Sequence, residues 1–124
     1  MKRHAFVIGI LLALAQPSFA HDMGNGPNGG QVVDVKGHHV EFTVKDTLIT
    51  VYLTDDKDGP IPSAGAQAKA VIQDAGKSAT VSLAPAEPNV LTGTLTAPLA
   101  SGAKVVIAGK LGDGHEILAR FVAK

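Results

Sequence analysis

His38-His39-Val40-Glu41-Phe42-Thr43-Val44-Lys45 alternates residue by residue along its length. Strand side chains point to opposite faces in turn. The alternation therefore puts His38, Val40, Phe42 and Val44 on a predicted core face and His39, Glu41, Thr43 and Lys45 on a solvent face. Lys36-Gly37 before the stretch and Asp46-Thr47 after it are turn pairs. Gln31–Val35 on one side and Leu48–Thr54 on the other are short and rich in β-branched residues, as strands are. The centre of the chain thus reads as an antiparallel meander.

The same pattern continues outward. Ala66–Gln73 and Ser78–Ala84 flank the turn Asp74-Ala75-Gly76-Lys77, and Val90–Leu95 follows a corner marked by Pro85 and Pro88. Ala103–Leu111 and Glu116–Ala123 flank Gly112-Asp113-Gly114-His115, whose Asp-Gly pair predicts a type I′ hairpin with two positive φ angles. The alanines of Ser63–Val71 allow a helical turn, but Pro60, Pro62 and Gly65 argue against a helix of any length. The result is about eight short strands with turns roughly every ten residues. That predicts an all-β fold, an antiparallel immunoglobulin-like β-sandwich over residues 31–124.

Ahead of the strands, Met1–Ala20 has the parts of a cleaved signal peptide. Lys2 and Arg3 form a basic start, Ala5–Ala15 an apolar run, and Ser18-Phe19-Ala20 a small-residue cleavage site. The apolar run is short for a membrane span, which needs about 20 residues. Export to the periplasm is expected, with no stable membrane insertion after cleavage. His21–Gly30 is rich in glycine, asparagine and proline and is predicted to be a flexible arm.

The chain has 124 residues with equal numbers of acidic and basic groups, and losing Lys2 and Arg3 leaves a slight acidic excess. Nothing in this balance suggests a nucleic-acid partner. Cysteine and tryptophan are absent. Thiolate metal sites are therefore excluded, and the core must come from Val, Ile, Leu and Ala, with Phe42, Phe121 and Tyr52 as its bulky members. No serine-nucleophile, zinc-protease or phosphate-loop motif is present, so no enzymatic activity is expected. The acidic loop Asp55–Gly59 fails the calcium-loop pattern at both ends and reads as a solvated connection.

The histidines carry the remaining chemistry. Cleavage after Ala20 makes His21 the N-terminal residue, so that an α-amine and an imidazole can chelate one Cu(II) ion. Asp113-Gly114-His115 offers a carboxylate and an imidazole two residues apart. His38 and His39 point to opposite faces, so they are not expected to share one metal. His39, with Glu41 on its face, is the better exposed ligand, and His38 reads as an edge or core histidine with its ring hydrogen-bonded. The predicted metal ligands are His21, His115, Asp113 and His39. Asp22 and Met23 are weaker additions.

Gly26-Pro27-Asn28-Gly29-Gly30-Gln31-Val32-Val33, followed by His38-His39-Val40-Glu41, resembles a segment near the start of periplasmic adaptor subunits of heavy-metal efflux pumps, and small stand-alone periplasmic proteins that carry it. His21 with Asp113-Gly114-His115 resembles the copper ligands of CopC-type copper-resistance proteins, which are immunoglobulin-like and periplasmic. These resemblances imply a link to metal homeostasis. The expected function is a periplasmic copper-binding protein that buffers metal or hands it to an efflux component. The rival expectation is a metal-free module that docks to an envelope assembly through a sheet edge. A copper oxygenase built on His21 is a third reading, disfavoured by the small size and lack of aromatic surface.

Overall fold

Strand periodicity carries through to the tertiary structure. The computed structural model describes residues 21–124, and the signal-peptide reading of Met1–Ala20 lies outside the described residues. The described residues contain nine strands and no helix. They are β1 (His21–Asn25), β2 (Gln31–Val35), β3 (His38–Lys45), β4 (Leu48–Asp55), β5 (Gln67–Asp74), β6 (Lys77–Ala86), β7 (Val90–Thr94), β8 (Lys104–Lys110) and β9 (Glu116–Val122). Every pairing is antiparallel, and the sheet order is β1-β2-β3-β4-β7-β6-β5-β8-β9. Strands β2 to β9 correspond to the eight expected, and the Ser63–Val71 segment contains no helix.

β6 links the two halves of the molecule. Lys77–Leu83 pairs with β5, whereas Ala84–Ala86 pairs with β7. The nine strands therefore form one continuous curled sheet, an open half-barrel. Its concave side holds the core, which includes Val33, Val35, Val40, Ile49, Val51 and Leu53 from one half and Ala70, Ile72, Val105, Ile107, Ile117 and Ala119 from the other. Across this core Phe42 stacks on Phe121, with ring centroids 5.2 Å apart and planes at 27°. Burial of each such ring contributes about 1.5–3 kcal/mol. Tyr52, expected in the core, is half-buried on the convex side. It falls in the row Glu41–Tyr52–Val90, whose side chains point away from Phe42 and Val51.

Two expectations change at the N-terminal end. His21–Gly30 does not hang free: its first half is β1, hydrogen-bonded to β2. Glu41, assigned to solvent by its parity, is only 4% exposed. The two findings have one cause. The Glu41 carboxylate accepts hydrogen bonds from the Asn28 backbone N–H (2.9 Å), the Asn28 side-chain amide (3.0 Å) and the Gly30 backbone N–H (2.8 Å). A buried carboxylate that accepts three donors ties the turn to β3, and β1 follows. Glycines permit the close approach: a Cβ on Gly26 would sit 2.6 Å from the Glu41 carboxyl carbon, and one on Gly30 would run into the Phe42 carbonyl oxygen.

Glu41→Ala leaves these donors unmatched and should destabilise the fold by about 3 kcal/mol. Urea unfolding measures that loss, and hydrogen exchange at Asn28 and Gly30 should accelerate alongside it. Unchanged stability with unchanged exchange would contradict the assignment.

Candidate metal centre

Two turns meet at one rim of the half-barrel. The first joins β2 to β3. Lys36 (φ 51°) and Gly37 (φ 85°) are both left-handed, the type I′ geometry of a two-residue hairpin. The Gly37 N–H donates to the Asp34 carboxylate at 2.8 Å. His38 is the first residue of β3 and sits beside Val35 at the open end of the core face.

The second turn joins β8 to β9. Only Gly114 (φ 91°) has a positive φ there; Asp113 does not. With the Gly114 N–H donating to Leu111 O (2.9 Å) and the Leu111 N–H to His115 O (2.8 Å), this is a type I turn closed by a glycine bulge. The expected type I′ turn is thus corrected. The change matters for chemistry because it leaves Asp113 free to brace His115. One Asp113 oxygen accepts the His115 backbone N–H at 2.9 Å, and the other lies 2.8 Å from His115 Nδ1.

β9 packs on β2 and β3, which brings the two turns together. The His38 and His115 rings have centroids 5.0 Å apart and are tilted by 49°. One ligand-type atom from each of His38, Asp113 and His115 lies within 4.8 Å of the others. His38 is half-buried, and the His115 and Asp113 side chains are 64% and 48% exposed.

Hydrogen bonding sets the tautomers. His38 Nδ1 lies 3.2 Å from the Val35 carbonyl oxygen. A carbonyl only accepts, so Nδ1 carries the proton and Nε2 keeps its lone pair. In His115, Nδ1 faces the Asp113 carboxylate in the same way. This is the carboxylate–histidine arrangement that orients metal-binding imidazoles. Two Nε2 lone pairs are therefore available at one rim, with Asp113 as orienting group or third ligand. Hydrogen bonds from the His115 backbone N–H and then its side chain hold the Asp113 carboxyl below the ordinary aspartate range, and His38 adds a smaller electrostatic contribution.

The other predicted ligands lie elsewhere. His39 points to the convex face, opposite His38, where it lines a groove of about 450 Å³ with Met23, Val32, Glu41 and Tyr52. His21 pairs in backbone register with Asp34, whose other neighbour is His39. His39 lies on the face away from His38. The His39/Glu41 pairing fails because the Glu41 carboxylate is buried under its three donors. Asp55 accepts the Gly59 (2.7 Å) and Lys57 (2.9 Å) N–H groups, which lower its pKa and close its loop. That loop is a structural turn.

Comparison of the chain with family models, curated proteins and solved structures finds no match.

Because the folded Asp113 pKa is depressed, its bracing contributes above the unfolded value and is lost as pH falls through the folded one. The His115 backbone amide, followed by NMR during acid titration, should therefore report Asp113 protonation with a midpoint below about 3.9. A midpoint at or above that value would contradict the brace.

Proposed function

We propose that the protein is a periplasmic transition-metal carrier that binds copper through His38 and His115, with Asp113 as orienting group or third ligand. The observation that supports this is the convergence of two imidazoles, each held with Nε2 free, from turns 77 residues apart in sequence (38 to 115). Nitrogen and oxygen donors without thiolate suit Cu(II), which binds such sites more tightly than its divalent neighbours. The open rim leaves coordination positions for water or for a ligand from a receiving protein. That favours exchange over permanent storage, as buffering and hand-over require.

The remaining parts of the reading rest on sequence. The Met1–Ala20 signal peptide supports export. The likeness of Gly26–Val33 to efflux adaptors supports an efflux component as recipient. A sheet whose strand β6 serves both halves supports an immunoglobulin-like description of the curl. His21, once N-terminal, is a competing Cu(II) anchor.

A Cu(II) titration followed by EPR separates these sites. In the chain cleaved before His21, Asp113→Asn should weaken binding by about 10–100-fold, and His38→Ala or His115→Ala by more. His39→Ala should leave the spectrum unchanged. If one glycine added ahead of His21 abolishes binding while His38→Ala does not, the site belongs to the N-terminus and the proposal fails.

A further inference from the structure

Charge is divided unevenly along the chain. Residues 21–66 hold seven acidic and three basic side chains, whereas residues 67–124 hold four acidic and six basic ones. The fold gathers four of those six on one surface, the outer face of β5, β8 and β9. Burial of Ala70, Val105 and Ala119 fixes which face of these strands is inward. The alternate residues therefore point outward.

Strand register lays out that face. Lys69, Ala108 and Leu118 form one row, and Val71, Val106 and Arg120 form the next. Lys110 stands beyond Ala108 on β8, and Lys104 stands beyond Val106. The four cations thus mark the corners of a diamond with Ala108 and Val106 at its centre. All four are exposed, and Leu118 beside them is 49% exposed. Among the described residues the only ion pair is His115 with Asp113, so no carboxylate neutralises these cations at close range. Glu116, opposite Lys110, is the one acidic side chain in these outward rows. Asp74 and Asp113 lie in turns at the two ends of the face.

We propose that this face docks the protein peripherally on an anionic lipid bilayer. A chain that is slightly acidic without Met1–Ala20 keeps a net positive surface here, which matches a negatively charged plane. The make-up of the face favours lipid over an acidic protein. Protein interfaces are depleted in lysine and anchored by aromatic side chains. Three of these four cations are lysine, the apolar side chains between them are aliphatic, and no aromatic residue is present in the outward rows. Lysine stems can lie along Val106 and Ala108 while their ammonium groups reach lipid phosphates. The face shares no residue with the His38/His115 rim, so the proposal stands or falls separately from metal binding.

The test is co-sedimentation of the metal-free chain, beginning at His21, with vesicles in low salt. Vesicles of phosphatidylcholine with one-third phosphatidylglycerol should carry the protein down, and pure phosphatidylcholine should not. Each charge near such a surface changes binding roughly fivefold. Lys69→Gln with Lys104→Gln should therefore weaken it by about 25-fold. Glu116→Gln should strengthen it by about fivefold, a gain that no loss of folding can mimic. Lys45→Gln with Lys57→Gln, on the other half of the sheet, should leave it unchanged. Salt at about 1 M should abolish it, since screening then acts within about 3 Å. The proposal is overturned if anionic vesicles do not bind the native protein, if neutral vesicles bind it equally, or if the two lysine pairs have the same effect. It is equally overturned if Glu116→Gln brings no gain.

Discussion

The stacking of Phe121 on Phe42 holds the two ends of the sheet against each other. Nine antiparallel strands in one sheet need not curl far enough to meet. Here β9 lies over β2 and β3, and the two rings stack where they meet. β6 makes the curl possible by serving β5 with its first part and β7 with its last. Once the ends are packed, the turns that lead into β3 and β9 share a rim. The candidate metal centre is a consequence of that closure: neither turn holds more than one histidine at the rim, and only the curl joins them.

Local chemistry then prepares what the curl has joined. The Val35 carbonyl and the Asp113 carboxylate each accept a hydrogen bond from an Nδ1–H, which leaves the Nε2 lone pair of each ring unengaged. Asp113 reaches His115 because the turn is type I with a glycine bulge, a geometry that places the carboxylate over the backbone N–H two residues on. These partners are short-range and tolerate solvent, so the rim can stay open without losing its ligand orientation. A carrier that must release metal benefits from that combination.

Much of this architecture was legible in the sequence, and the exceptions have physical reasons. Period-two alternation located strands β2 to β9 because each buries one face. It missed β1, whose glycines and asparagine carry no apolar pattern and whose order comes from Glu41, a distant carboxylate. Glu41 itself was misread by parity, since alternation reports which face a residue occupies and not what later covers that face. In the candidate site, the Asp113–His115 pairing was visible as a short spacing. His38 reads in sequence as an edge or core histidine with a bonded ring, and its Nδ1 does meet the Val35 carbonyl, yet its position at the open end of the strand gives it a second use. Its approach to His115 depends on sheet closure, a long-range contact that no local pattern encodes.

The most direct test of this account is to locate the ion. Crystals of the protein loaded with Cu(II), measured at the copper absorption edge, place the metal in an anomalous difference map. The account predicts a peak at the rim between His38 and His115, roughly 2 Å from the Nε2 atom of each. A peak near His39 or near His21, with none at the rim, would contradict it.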